Sequence, residues 1–122
     1  MATTADLEFM QQGAARAAAL TQCLACGANP EQGAARAAAL LRAVGNEHRL
    51  LVLCLLIEQG EASVGTLLEQ VSLSQSALSQ HLARMRDEGL VTFRRDAQTL
   101  YYRIADPAAE KLVAALKDIF CP

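Results

Sequence analysis

Residues 73–91 read LSQSALSQHLARMRDEGLV, and the fold follows from how this stretch distributes its apolar groups. Leu78, Leu82 and Met85 recur at spacings of four and three, with Ala77 beside them, which predicts the inner stripe of an amphipathic helix. The opposite face is Ser74, Gln75, Ser76, Ser79, Gln80, His81 and Arg84. A face turned to plain solvent more commonly carries Glu and Lys. Short hydroxyls and amides instead reach phosphates or base edges in a DNA major groove without steric conflict, and Gln can bond adenine through both of its polar atoms. His81 also suits the edge of a core, satisfied by a hydrogen bond. The helix is expected to start near Ser74, run to about Glu88 and stop at Gly89.

Upstream, Ser63 caps a short helix reaching about Val71, and Ser72-Leu73 makes a tight turn into the longer one. Downstream, residues 90–95 and 99–104 are rich in β-branched and aromatic side chains and are separated by Asp96, Ala97 and Gln98, so they read as a β-hairpin. Arg94 and Arg95 precede its tip and Gln98 lies in it, where they can track a phosphate backbone or minor groove. The same arginines also fit an ordinary solvated hairpin. Helix, short helix, tight turn, longer helix and basic hairpin together make the layout of a winged helix-turn-helix.

The flanks supply the core and an interface. Residues 46–59, NEHRLLVLCLLIEQ, open on a good N-cap and then become apolar all round, the pattern of a central buried helix. Asp106-Pro107 starts a final helix whose Ala109, Leu112, Val113, Leu116, Ile119 and Phe120 form a stripe that needs a partner. The expected partner is a second copy of the chain, through that stripe and Leu40, Leu41 and Val44 of an Ala-rich helix before Asn46. QGAARAAAL stands at residues 12–20 and again at 32–40. Two copies are too few for a solenoid, and the first reads either as an added helical element or as a duplication without a new role. The expected division is an N-terminal helical extension over 1–30 and a DNA-binding and dimerisation domain over 31–122.

Composition agrees with a mainly α protein carrying a small β-hairpin, since the apolar residues are mostly Ala and Leu. The chain's net charge is −2, yet residues 72–103 hold Arg84, Arg86, Arg94, Arg95 and Arg103 against Asp87, Glu88 and Asp96, a local excess of positive charge on an acidic body. Such a face can still attract phosphates. The longest apolar run, residues 50–57, is far shorter than the ~20 residues that cross a bilayer, and no signal peptide opens the chain, so the expectation is a cytoplasmic protein without a membrane partner. In that compartment the four cysteines point to metal binding or redox chemistry before a disulfide framework, or to small buried hydrophobes. No general base or substrate pocket is legible, so a thiol-based redox enzyme is the weaker class, as is a pure interaction module built on the repeat. No cofactor is expected.

The helix at 73–91 and the hairpin ending in LYYRI closely resemble the recognition helix and wing of the ArsR family of bacterial repressors, and the likeness extends over residues 41–121. That resemblance implies a homodimer on double-stranded operator DNA, joined through its first and last helices, with an inducer that weakens DNA binding. Arsenite sensors of the family carry cysteines at the start of the helix before the recognition helix; here that helix is SVGTLLEQV. Zinc sensors place Asp and His ligands along the final helix, whereas the only histidines here are His48 and His81. Cys54 and Cys121 instead match, position for position, the pair of the SqrR and BigR group of persulfide-sensing repressors and of the similar HlyU-like virulence regulators. The implied inducer is a reactive sulfur species or another thiol oxidant, and the implied chemistry a disulfide or sulfur-chain bridge. Cys23 and Cys26 have no counterpart in that pattern; three apart at a helix end, they can chelate a soft metal with outside ligands, form a local disulfide or do neither. A metal-responsive repressor using them is the alternative within the class.

Overall fold

The computed structural model describes residues 30–121, so the first QGAARAAAL copy, Cys23 and Cys26 lie outside the described residues. The chain divides into two units, Met1–Leu40 and Leu41–Pro122. Its elements in order are α1 (Pro30–Val44), α2 (Glu47–Gln59), β1 (Ala62–Ser63), α3 (Val64–Leu68), α4 (Gln75–Asp87), β2 (Val91–Asp96), β3 (Thr99–Ile104) and α5 (Pro107–Phe120). This is a mainly helical winged helix-turn-helix: α3 and α4 form the turn motif and β2–β3 the wing.

Local chemistry sets the helix starts. Asn46 accepts hydrogen bonds from the backbone N–H groups of His48 and Arg49 at 3.0 and 3.2 Å, Ser63 from Thr66 at 3.2 Å, Ser74 from Ala77 at 3.1 Å and Asp106 from Ala108 at 2.9 Å. Each cap satisfies a donor that the helix leaves orphaned and is worth ~1 kcal/mol. Pro107 opens α5, where no N–H is needed. Gly89 follows α4 with φ +79°, a conformation that glycine adopts without penalty.

The core is built where α2, α3, α4 and α5 turn their stripes inward. Val52, Leu53, Leu56, Leu67, Leu78, Leu82, Met85 and Val113 are all less than 2 % exposed. Two expectations are revised here. α2 is not buried on every side: Leu51 is 41 % exposed and Leu50, Cys54 and Ile57 are half-buried. The α5 stripe also divides, since Ala109 and Val113 belong to the chain's own core, as does Val44 of α1, while Leu112 and Leu116 are half-buried and Ile119 and Phe120 are exposed. The chain's own core thus covers only part of this stripe.

The wing is part of a three-stranded antiparallel sheet in the order β1-β3-β2. β2 and β3 pair from Val91↔Ile104 to Asp96↔Thr99, so the turn is Ala97-Gln98 alone, and Ala97 takes φ +57°. The sequence reading placed Asp96 in the turn and Leu90 in the strand. Leu90 is instead a buried junction: its N–H donates to the Met85 carbonyl and its carbonyl accepts from Ala105 N–H, both at 2.8 Å. β1 was not anticipated, because a strand of two residues is too short to show alternation; it pairs Ala62 with Tyr102 and Ser63 with Tyr101. α3 ends at Leu68, short of Val71, which bonds back to the Leu67 carbonyl at 3.1 Å.

Candidate nucleic-acid interface and thiol pair

α4 presents Gln75, Ser76, Ser79, Gln80 and Arg84 as exposed side chains. Ser74, also exposed, spends its oxygen on the cap and keeps its hydroxyl proton for an outside acceptor. Gln75 and Ser79 line a concavity of about 520 Å³ together with Ser63, Val64 and Gly65 below and Gln98, Thr99 and Leu100 of the wing opposite. Recognition helix and wing tip thus form the two walls of one groove. The residues named from sequence on both elements converge there in Gln75, Ser79 and Gln98.

His81 departs from this face. It is half-buried, and its ring lies 6.1 Å from that of His48 at the start of α2. Burial, followed by the positive charge of Arg49, the nearby His48 and then Arg84, holds its pKa below the ordinary histidine value. A neutral imidazole between two helices is poorly placed to bind phosphate, and the core-edge reading describes it. The neighbouring Arg49 was missed in sequence. Its Nη1 donates to the Ala43 carbonyl at 3.1 Å and lies 3.9 Å from Glu88, tying the end of α1 to the end of α4.

The wing arginines are not equivalent. Arg94 gives its Nε and Nη2 to the two oxygens of Glu61 at 2.8 and 2.7 Å and lays its guanidinium 4.6 Å from the centre of the Tyr101 ring. Arg95, exposed near the tip, has no ion-pair partner among the described residues. Arg86 packs over Phe93 at 5.2 Å, fastening the end of α4 to β2. Glu61 carried no sequence signal, for it lies 33 positions from Arg94.

The second constellation lies between α2 and α5. Cys54 is half-buried, Cys121 is exposed at the end of α5, and both are free thiols. Cys121 lies close enough for its charge to disfavour charge on Cys54. Burial pushes the Cys54 thiol up, Lys117 draws it down, and Cys121 and Glu58 push it up again. Lys117 Nζ meets Glu58 Oε1 at 2.5 Å. Among the described residues no group of three or more His, Cys, Asp or Glu side chains is placed to hold a metal ion.

Comparison with known proteins agrees with this geometry. Residues 46–92, from the cap of α2 into β2, match the model of the arsR family of bacterial regulatory proteins. The HTH-type transcriptional regulator YgaV of Escherichia coli (strain K12) is 48% identical over 82 residues, which cover 67% of this chain and 83% of YgaV. Among solved structures, reduced HlyU from Vibrio cholerae N16961 superposes with a TM-score of 0.72 at 43% identity, covering 75% of this chain and 96% of HlyU. The transcriptional repressor BigR from Xylella fastidiosa gives a TM-score of 0.69 at 40% identity, covering 75% of this chain and 93% of BigR. The chain belongs to the arsR family of bacterial regulatory proteins and is a DNA-binding transcriptional regulator, not an enzyme.

Proposed function

We propose that the chain is a cytoplasmic, homodimeric repressor that leaves its operator when Cys54 and Cys121 are oxidised by a reactive sulfur species. The observation that carries this reading is that the free thiols of Cys54 on α2 and Cys121 at the end of α5 lie within electrostatic reach of each other. Among its relatives, BigR is named a repressor, HlyU of Vibrio cholerae is named an activator, and one HlyU structure is named as reduced; BigR supports the sign of regulation proposed here and reduced HlyU a redox-active form. The chemistry balances without a cofactor. One thiolate attacks the sulfane sulfur of a persulfide RSSH and releases RSH, and the second thiolate then attacks the protein sulfur and expels hydrosulfide. Two thiols and one persulfide give the disulfide, one thiol RSH and one hydrogen sulfide. Exposed Leu41, Leu51, Ile119 and Phe120 supply apolar surface for a second copy, so a bond between α2 and α5 acts beside the proposed dimer seam.

The test is DNA binding by fluorescence anisotropy before and after exposure to a low-molecular-weight persulfide, with mass spectrometry of the same samples. The expected result is a Cys54–Cys121 link and at least a tenfold loss of affinity, which requires only ~1.4 kcal/mol of coupling. Cys54→Ser and Cys121→Ser should each bind DNA and no longer release it. Release that persists in both variants and disappears when Cys23 and Cys26 are replaced would move the sensor to that other pair.

A further inference from the structure

We propose that Lys117 is the positioning residue of the thiol pair: pinned by Glu58, its ammonium is the counter-ion for whichever of Cys54 and Cys121 ionises at the seam of α2 and α5. This rests on the reading of the pair as reactive and adds a group to it that no thiol pattern reveals. Cys54 and Glu58 stand one turn apart on α2, and Lys117 and Cys121 one turn apart on α5, with the Cys121 N–H bonded to the Lys117 carbonyl at 2.7 Å. The salt bridge between Glu58 and Lys117 therefore joins the two helices one turn from each cysteine, and Cys54 feels both Lys117 and Cys121 from across the seam.

Charge follows from that placement. The groups that act on Cys54 are Lys117 and Cys121 from α5 and Glu58 from its own helix, and of these Lys117 alone favours the thiolate. The Lys117 ammonium is held protonated by its hydrogen bond to Glu58 and by charge on Glu58, Cys54 and Cys121. Glu58 thus has opposed effects: it steers the ammonium to the seam and competes with the thiolate for it. Once the sulfurs are bridged neither carries charge, and Lys117 is left to Glu58 alone.

The measurement is the pH profile of iodoacetamide alkylation at Cys54 in the full chain, followed peptide by peptide by mass spectrometry. Lys117→Met should raise the midpoint and slow Cys54 at neutral pH about threefold to tenfold, since the thiolate is the nucleophile. Lys117→Arg should restore the midpoint. A midpoint unmoved in Lys117→Met overturns the proposal, as does faster alkylation with an unmoved midpoint, the mark of a lysine that merely seals the seam. The assay contains neither DNA nor persulfide. If persulfide leaves DNA binding unchanged while Lys117→Met still raises the midpoint, the sensing reading fails and the role of Lys117 stands.

Discussion

Glu61 and Arg94 face each other as a fork on a fork, with both carboxylate oxygens engaged and two of the five guanidinium N–H donors spent on them. Arg94 is thereby a brace between β2 and the residue before β1, while Arg95 remains available to phosphate. Arg95→Ala should weaken binding to all DNA sequences alike and flatten the dependence of log K on log salt by ~0.9, the value of one lost phosphate contact. Arg94→Ala should leave that slope nearly unchanged and instead lower the thermal midpoint, more at low salt than at high. Equal slope changes in the two variants, read from salt titrations, would show that Arg94 meets phosphate as Arg95 does.

Gln75→Ala or Ser79→Ala should cost ~1–3 kcal/mol of operator affinity if the side chain reads a base, because a bidentate or hydroxyl contact to the base edge is lost. Both residues are exposed, so circular dichroism should show an unaltered fold. Operator affinity that survives both substitutions would place the reading surface elsewhere on α4.

Acid should destabilise the protein through His81. Its folded pKa lies below the unfolded value of ~6.5, so the unfolded chain binds the proton first as pH falls. The contribution of the neutral ring is complete above ~6.5 and is lost progressively from there down to the folded pKa. His81→Gln should flatten urea-melt midpoints over that window, and a wild-type midpoint that rises as pH falls would contradict the sign.

Gly45 closes the junction between α1 and α2, where an added Cβ would stand 2.8 Å from the Leu41 carbonyl oxygen. Backbone must move to admit it. Gly45→Ala should cost ~1–3 kcal/mol by denaturant titration, the range of an overpacked site. No loss would mean that α1 ends with more freedom than its geometry shows.

The features legible in the sequence are those fixed within a few residues. Asn46, Ser63, Ser74 and Asp106 announce their helices because a cap acts on the next two or three N–H groups, and the Ser and Gln face of α4 is a matter of one helical period. What escaped reading is set across the chain. Arg49 with Ala43 and Glu88, Glu61 with Arg94, and Glu58 with Lys117 join elements whose register only the packed core determines. The assignment of Val113 to the dimer seam, where the chain's own core buries it, has the same origin, since periodicity shows that a stripe is apolar and not which neighbour covers it. His81 sits at the boundary of two faces on α4, and one helical position decides whether such a residue meets DNA or meets His48.

The two-residue strand β1 grips β3 only at Tyr101 and Tyr102. Beyond that grip Asp96 and Thr99 are held by the hairpin ladder alone, with Ala97 and Gln98 at its end. The wing is therefore a cantilever, clamped at its root by three strands and free at its tip. Its root can keep a constant bearing on α4 while the tip bends to the local path of a phosphate strand, so operators of differing groove width can be met at little cost in folding energy. Amide exchange should record this as protection that falls steadily from Thr92 toward Gln98.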